Sequence, residues 1–325
     1  MNRLRIAQVA LGAFVSLAPT VFAGEDAVVQ RAEVVPKRVA ATCPTSPPSY
    51  SVEVPVLARV QGSAFFRTLI AFANNSNKSI TASYQFSYTC VSATCTPAGG
   101  FYRTNPQTLN LPALGSFVQD DFIDYLNTQG LLQPGANAGT IGTLLVTFNN
   151  LPSCNGYEAN VVARTYNRLV ETDATQGTVG FAYNASLFFD SSDTTLIGFA
   201  RDTKSAPSIA GKLRSNLGVR NTDINSVNQN MTVDITFYDT ATGQRVGNTI
   251  TFADLRPGEL RQVSDIWASA AIASTVNSVI VFADSRNATA TSPTMEGYIT
   301  IIDGQNTQDA SLFTLLCADA NGCGN

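Results

Sequence analysis

The side chains that perform most enzyme chemistry are scarce in this chain. None of its 325 residues is histidine, which excludes Ser-His-Asp and Cys-His catalysis and the usual zinc sites. Lysine occurs at four positions only, and the chain has no G-x-S-x-G, S-x-x-K or G-K-[ST] motif. We therefore predict a non-catalytic protein that has no catalytic residue and no cofactor.

Aspartate clusters are the remaining source of chemistry. Asp303 and Asp309 flank a polar turn and offer oxygen ligands of the kind that calcium prefers, but the repeated acids and terminal Glu of an EF-hand loop are missing. The turn is interpreted as solvated, and the two aspartates are weak calcium candidates. Paired carboxylates also hydrolyse glycosides, so a carboxylate-based hydrolytic module is an alternative function. The chain has two further clusters of this kind: Asp120, Asp121 and Asp124, and Asp190 and Asp193.

The six cysteines indicate an oxidising compartment. An even number favours disulfides over a metal site, because the chain has neither a C-x-x-C pair nor a histidine. Six cysteines allow fifteen pairings, among which sequence alone does not choose. Proximity along the chain favours a short bridge at a hairpin end and another in the C-terminal tail. The predicted pairs are Cys90–Cys95, Cys317–Cys323 and, by remainder, Cys43–Cys154.

Residues 1–23 have the pattern of a secretory signal peptide. Arg3 and Arg5 precede an apolar run, and Val21 and Ala23 place small residues at the −3 and −1 positions of a cleavage site. An uncleaved anchor is less favoured, because the apolar run is too short to span a membrane comfortably. Cleavage removes two Arg and no acid, so the formal net charge changes from −4 to −6. We expect a secreted protein, extracellular or periplasmic, with no stable membrane insertion after cleavage.

The second half of the sequence repeats the first. Chance explains any one of the matching segments, but their shared order indicates an internal duplication. Three segments recur in this way: 55–59 as 197–201, 66–74 as 213–221, and 111–122 as 255–266.

Both copies have the alternation of half-buried antiparallel strands. Tyr84–Cys90 and Met231–Tyr238 alternate apolar with polar residues, which places the apolar side chains on one face. Leu144–Phe148 and Val279–Ala283 are apolar at nearly every position, which predicts strands buried on both faces. The predicted fold class is all-β: two tandem immunoglobulin-like antiparallel β-sandwich domains, each with a short helical turn.

An aspartate and an arginine occur at equivalent positions in the two copies. Asp121 and Asp265 each precede a short helical pattern, where an aspartate caps exposed N–H groups and contributes about 1 kcal/mol. Both aspartates are therefore interpreted as structural. Arg67 and Arg214 are interpreted as packed or ion-paired strand residues, and ligand binding is the alternative.

Four short motifs stand in the two copies: F-R-T at Phe66–Thr68 with Asn74 after it, R-T-Y-N at Arg164–Asn167, G-T-x-G at Gly177–Gly180, and a closing Asp303–Asp309 turn. Together they resemble a family of uncharacterised secreted bacterial proteins built from paired sandwich repeats. Gly304 departs from the family pattern, in which Asn is usual. The resemblance spans roughly residues 52–313 and implies a sandwich fold and export from a bacterial cell. It implies no activity, catalytic residue or ligand.

Composition and turns suggest the domain boundaries. Residues 24–50 are rich in proline toward their end and form a lead-in rather than a core. The predicted organisation is a signal peptide (1–23), this lead-in, a first sandwich domain (51–170), a second sandwich domain with its junction segment (171–313), and a disulfide-stapled tail (314–325).

We expect a structural or binding protein that acts outside the cytoplasm through sandwich loops or edges. The partner would be an unknown protein or a cell-surface component, and the low charge disfavours nucleic acid. Phe101, Tyr102 and Arg103 form a possible contact loop, since such residues are enriched at interaction hot spots, although they equally fit the start of a strand. A carbohydrate-binding module and a subunit of a surface polymer, with residues 24–42 as a donor segment, are the alternatives.

Overall fold

β-strands make up most of the described part of the chain. The computed structural model describes residues 49–61, 65–93, 95, 99–152, 158–168, 170–173, 178–187, 195–201, 213–222, 230–286, 295–303 and 310–317. All of these residues fall in one compact unit. The strands are antiparallel, which confirms the predicted all-β class.

The first half, residues 49–187, forms two layers. Strands β1 and β2 pair only at their hairpin end, Val60 with Phe66 and Gln61 with Phe65, and then enter different layers. Layer A contains β1 (Tyr50–Gln61), β3 (Ile80–Cys90), β4 (Phe101–Arg103), β5 (Gln107–Leu111), β7 (Gly139–Asn149) and β10 (Ser186–Leu187). Layer B contains β2 (Phe65–Asn74), β6 (Ser116–Gln119), β8 (Ala159–Arg168) and β9 (Thr178–Asn184).

The second half, residues 195–317, also forms two layers, with a separate buried core between them. Layer C contains β11 (Thr195–Arg201), β13 (Met231–Asp239), β14 (Arg245–Leu255), β16 (Ser278–Ser285) and β19 (Leu316–Cys317). Layer D contains β12 (Leu213–Asn221), β15 (Leu260–Val263), β17 (Met295–Asp303) and β18 (Ala310–Thr314).

The strand order is the same in the two halves. Layer A runs β4/β5–β3–β7–β1–β10 and layer C runs β14–β13–β16–β11–β19, so each strand has a counterpart in chain order. Layer B runs β6–β2–β8–β9 and layer D runs β15–β12–β17–β18. The described strands therefore reproduce the repeat that the sequence indicates. Strands β9 and β10, within the segment assigned above to the junction, pair with strands of the first half.

The predicted alternation determines which side chains enter each core. Phe86 and Tyr88 on β3, and Val233 and Ile235 on β13, are almost fully buried. The prediction that Leu144–Phe148 and Val279–Ala283 are buried on both faces was wrong, because every second residue is only half-buried. Each sheet packs on its core with one face only, and on the outer face apolar side chains cover each other, as the rings of Tyr238 and Phe282 do at 5.5 Å.

Two short helices stand at matching places. Helix α1 (Phe122–Thr128) is capped by Asp121, which accepts a hydrogen bond from the N–H of Asp124 at 3.1 Å. Helix α2 (Ile266–Ser269) is capped by Asp265, which accepts from the N–H of Ala268 at the same distance. The capping role predicted for both aspartates is confirmed. Neither helix has the length and apolar character needed to cross a membrane, as holds for every helix among the described residues.

Cys90 and Cys95 form the predicted disulfide, with their Cα atoms 6.1 Å apart. Cys95 lies in the turn after β3 and not on a facing strand, so the bridge closes a loop beside the strand end. The side chains of the other four cysteines lie outside the described residues.

A buried asparagine closes the same turn in each half. The Asn74 amide donates to the carbonyl of Leu111 at 3.2 Å, and the Asn221 amide donates to the carbonyl of Leu255 at 3.0 Å. Their backbone N–H groups also donate to equivalent carbonyls, those of Gly115 and Glu259. Each asparagine therefore ties the end of one layer to the edge strand of the other.

Replacing either asparagine should destabilise the protein. Asn74→Ala or Asn221→Ala leaves buried carbonyl groups without donors, and we expect a loss of about 1–3 kcal/mol in the free energy of unfolding. Urea denaturation measures the loss. Asn110→Ala, at an exposed position of β5, is the matched control and should change stability by less than about 0.5 kcal/mol. Equal effects of all three changes would contradict the assigned role.

Candidate functional site

The two halves meet along a seam between layer D and the first half. Strand β15 contacts β3 and β7, and β18 contacts β9. Leu260 and Tyr298 of the second half are buried in the core of the first. Alternation along β12 explains this arrangement: Leu217 and Val219 point into the second core, so Arg214, Asn216, Gly218 and Arg220 are on the face turned to the seam.

A buried ion pair closes one end of the seam. Arg220 on β12 and Glu53 on β1 form a salt bridge, and their side chains are 3% and 0% exposed. Glu296 lies directly opposite Arg220 on β17 and adds a second carboxylate. Burial lowers the pKa of the Arg220 guanidinium to about 10, and Glu296 opposes that change. Arg220 therefore stays charged at neutral pH and requires the carboxylate of the other half.

A cleft of about 520 Å³ lies along the same seam. Its size is in the range of small-molecule sites, which favour domain interfaces. Most of the lining is apolar, and both halves contribute to it. The first half supplies Val56, Ala58, Val60, Val91, Ile141 and Phe181, and the second supplies Arg214, Asn216, Leu260, Tyr298, Thr300 and Ile302.

Two buried tyrosines form the inner wall of the cleft region. The Tyr298 hydroxyl donates to Gln262 Oε1 at 2.7 Å, and the Tyr183 hydroxyl donates to the carbonyl of Val56. Burial raises the pKa of both phenols above the ordinary tyrosine value. The Tyr298 ring lies directly over Gly218, where any Cβ would overlap it. The wall is therefore rigid and neutral at physiological pH.

The motifs of the first copy converge beside this wall. Strands β2, β8 and β9 are neighbours, so Thr68 pairs with Thr165, and Tyr166 pairs with Gly180. The hydroxyls of Thr68 and Thr165 are hydrogen-bonded at 3.0 Å, and the Thr165 hydroxyl is also hydrogen-bonded to the Tyr183 hydroxyl at 2.8 Å. These residues hold three strands together, and Thr165 also lines the cleft.

The charges that line the cleft do not balance. Arg261 donates to the buried Glu259 carboxylate at 2.8 Å, so its charge is compensated. Arg214 is half-buried, and no carboxylate among the described residues pairs with it. The lining residues that the structure describes include no Asp or Glu. The cleft therefore presents one uncompensated positive charge in mainly apolar surroundings.

The equivalent arginines of the two halves have different surroundings. Arg67 forms an ion pair with Glu171, at 2.6 Å, and lies over the Phe65 ring at 4.8 Å from the ring centre. The structural interpretation of Arg67 is thus confirmed. For Arg214 no ion pair is found among the described residues; it is a half-buried strand residue that lines the cleft, and ligand binding stays a prediction for it.

One arginine partly compensates the acidic groove beside α1. Asp120, Asp121 and Asp124 line a second depression of about 510 Å³. Arg59 pairs with Asp121 at 2.7 Å and with Asp124 at 3.3 Å. Asp121 also caps the helix. Two of the three carboxylates thus have structural partners, and the described residues contain no group of three potential metal ligands.

The possible contact loop has a strand backbone. Phe101, Tyr102 and Arg103 form β4 and pair with Thr89, Tyr88 and Ser87. Arg103 donates to the carbonyl of Pro257 at 2.8 Å across the seam, and burial lowers its pKa. The alternative that these residues start a strand therefore fits the structure.

The weak calcium candidates remain predictions. The side chains of Asp303 and Asp309 lie outside the described residues, although the backbone of Asp303 ends β17. The same holds for Asp190 and Asp193 and for the donor segment 24–42.

Sequence reasoning missed the residues that join the halves. Glu53 lies between Val52 and Val54, so the alternation of side chains along the strand predicts that Glu53 faces outward. A charged side chain in that position is ordinarily solvated. Asn216, Thr300 and Tyr298 read as ordinary strand residues. A sequence pattern shows which face a residue occupies but not what covers that face.

Comparison with known proteins adds no family assignment. Neither the protein-family models nor the curated protein sequences contain a match to this chain.

Removing one partner of the buried ion pair should destabilise the protein more than removing both partners. Arg220→Met leaves the Glu53 carboxylate buried beside Glu296, and we expect a loss of about 3–5 kcal/mol in the free energy of unfolding. The double variant Glu53→Leu/Arg220→Met should recover part of that loss, because it removes the fully buried Glu53 carboxylate and only the half-buried Glu296 loses its arginine. Urea unfolding of the two variants measures the difference.

Arg245→Met provides the control for this pair, because Arg245 is exposed on β14 and its replacement should change stability by about 0.5 kcal/mol or less. A double variant at least as unstable as the single one would contradict the role given to the ion pair.

Proposed function

We propose that this chain is an exported, non-catalytic binding protein made of two immunoglobulin-like sandwich domains, and that the cleft between the domains holds its ligand. The observation that carries the proposal is the cleft itself, which is mainly apolar and lined by both halves. The buried pair of Glu53 and Arg220 closes one end of the same seam. Such a cleft is formed before binding, which lowers the ordering cost of a ligand.

The domain assignment rests on the doubled strand order. Each half has two antiparallel layers around its own apolar core, and both halves have the same order of strands. The immunoglobulin-like sandwich is built in this way. The resemblance to secreted bacterial proteins with paired sandwich repeats supports the same proposal.

Export is proposed on the signal pattern of residues 1–23 and on the disulfide. A bridge between Cys90 and Cys95 fits the periplasm or the cell exterior, since cytosolic thiols are kept reduced. Loops and sheet edges remain available for a protein or cell-surface partner.

Binding in the cleft is tested by NMR of the full-length exported protein labelled at isoleucine methyl groups. Ile141 and Ile302 line the cleft, whereas Ile123 and Ile235 are fully buried in the two cores. Decan-1-ol, a neutral apolar probe, should shift the resonances of Ile141 and Ile302 and leave those of the core residues unchanged. Absence of a shift at both cleft residues, or equal shifts in the cores, would refute the proposed site.

Export is tested separately by expressing the full chain in a bacterium that has a periplasm. Mass spectrometry of the periplasmic material should find an N-terminus at Gly24 and a linked peptide that contains Cys90 and Cys95. The variant Arg3→Glu/Arg5→Glu is the control, because a negative start should retain the chain in the cytoplasm. Recovery of the parent chain uncleaved, with free thiols, contradicts this part of the proposal.

A further inference from the structure

The uncompensated charge in the cleft points to the class of ligand. Arg214 lacks a carboxylate partner among the described residues, whereas the neighbouring Arg261 is neutralised by Glu259. A guanidinium in apolar surroundings interacts strongly with an opposite charge, because the local dielectric constant is low. The single guanidinium of Arg214 can pair with one anionic group of a ligand. A polyanion would need several, and the cleft supplies no other free cation among its described lining residues.

Two buried polar side chains next to Arg214 also lack partners. Thr300 is 3% exposed and its hydroxyl makes no hydrogen bond to the described residues. Asn216 is 7% exposed and its side-chain oxygen likewise makes none. Both line the cleft and lie directly opposite each other on β12 and β17. A buried polar group without a partner costs about 1–3 kcal/mol, so a ligand that accepts a hydrogen bond from the Thr300 hydroxyl removes that cost at Thr300.

The three side chains form a single cluster. Arg214 lies two residues before Asn216 on the same strand face, so their Cα atoms are separated by about 6.6 Å. Opposite residues of an antiparallel pair have Cβ atoms about 5 Å apart, which places Thr300 beside Asn216. The guanidinium and the Thr300 hydroxyl supply hydrogen-bond donors, whereas the unpartnered Asn216 oxygen is an acceptor. A carboxylate accepts such bonds on two oxygens, and a planar guanidinium matches it with two parallel bonds.

The rest of the lining specifies the other end of the ligand. Val56, Ala58, Val60, Ile141 and Ile302 offer only apolar surface. Burying an alkyl chain against them gains about 0.8 kcal/mol per CH₂ group. A sugar would leave its hydroxyls unpaired there, which is unfavourable.

We propose that the cleft binds a monocarboxylate with an apolar body, such as a medium-chain fatty acid, and that Arg214 holds its carboxylate together with the Thr300 hydroxyl. This inference rests on the proposed function, because it identifies the ligand class of the same cleft. The alkyl chain extends over the apolar lining. The buried pair of Glu53 and Arg220 closes the seam about 20 Å from Arg214, the span of six strand residues.

Isothermal titration of the exported, oxidised protein with sodium decanoate tests the inference. Decanoate should bind at least tenfold more tightly than decan-1-ol, and decyltrimethylammonium should bind more weakly than the alcohol. Arg214→Gln should weaken decanoate binding by at least tenfold and leave decan-1-ol binding unchanged, whereas Arg214→Lys should retain most of the affinity. The matched control is Arg245→Gln, an exposed arginine of β14 that does not line the cleft, and it should have no effect.

A second pair of variants acts at the exposed rim and does not disturb a core. Val91 lines the cleft and is 56% exposed, so a charge there stays solvated. Val91→Glu should weaken decanoate binding and Val91→Lys should strengthen it, each severalfold and less at high salt. Thr300→Val should lower decanoate affinity about fivefold without lowering the melting temperature, because it removes a buried hydroxyl that has no partner.

Two outcomes would overturn the inference. The first is equal affinity for decanoate and decan-1-ol, and the second is an Arg214→Gln variant that binds decanoate as tightly as the parent does. In either case, shifts at Ile141 and Ile302 with decan-1-ol would still support the cleft as the site. Absence of those shifts with both probes would instead refute the proposed function itself.

Discussion

The buried pair of Glu53 and Arg220 is the constraint on which the arrangement of the two halves depends. Each charge lies in surroundings that exclude water, and burial lowers the pKa of the guanidinium. Separating the halves would remove Arg220 from the Glu53 carboxylate and leave Arg220 with only the Glu296 carboxylate of its own half. The attraction is also directional. It sets which residues of β12 face β1 and therefore where along the seam the surfaces part to form the cleft.

The two halves have the same strand order, and the residues that close the equivalent turns and cap the equivalent helices have the same roles in both. Asn74 and Asn221 bind equivalent carbonyls, and Asp121 and Asp265 cap equivalent helices. These contacts lie within one half, so they do not depend on what covers its outer face. Residues on the outer faces differ because the outer face of layer D packs on the first half. Arg67, on the outer face of layer B, pairs with Glu171, whereas Arg214 faces the cleft.

The cleft combines a rigid wall with a single charge. Tyr183 and Tyr298 are hydrogen-bonded and remain neutral because burial raises their pKa. Thr165 links the wall to the motif strands of the first half. Arg214 is the one charge on the described lining that no acid neutralises. A preformed apolar surface with one fixed cation distinguishes ligands by head group more sharply than by length, since charge interactions strengthen where water is excluded.

The sequence by itself determined the strand alternation, the repeat, the two aspartate caps and the Cys90–Cys95 bridge. The caps and the bridge are contacts between residues that are close along the chain, the strand alternation has a period of two residues, and the repeat is a recurrence of similar segments. All of these are visible in the order of amino acids. Tertiary structure alone decided what lies against each outward face. Glu53, Arg214 and Thr300 read as ordinary strand positions, because their partners, or the lack of partners, come from strands that meet only when the second half packs on the first. Arg67 is buried and paired with Glu171 inside the first half, whereas the packing of the two halves leaves the half-buried Arg214 lining a cleft.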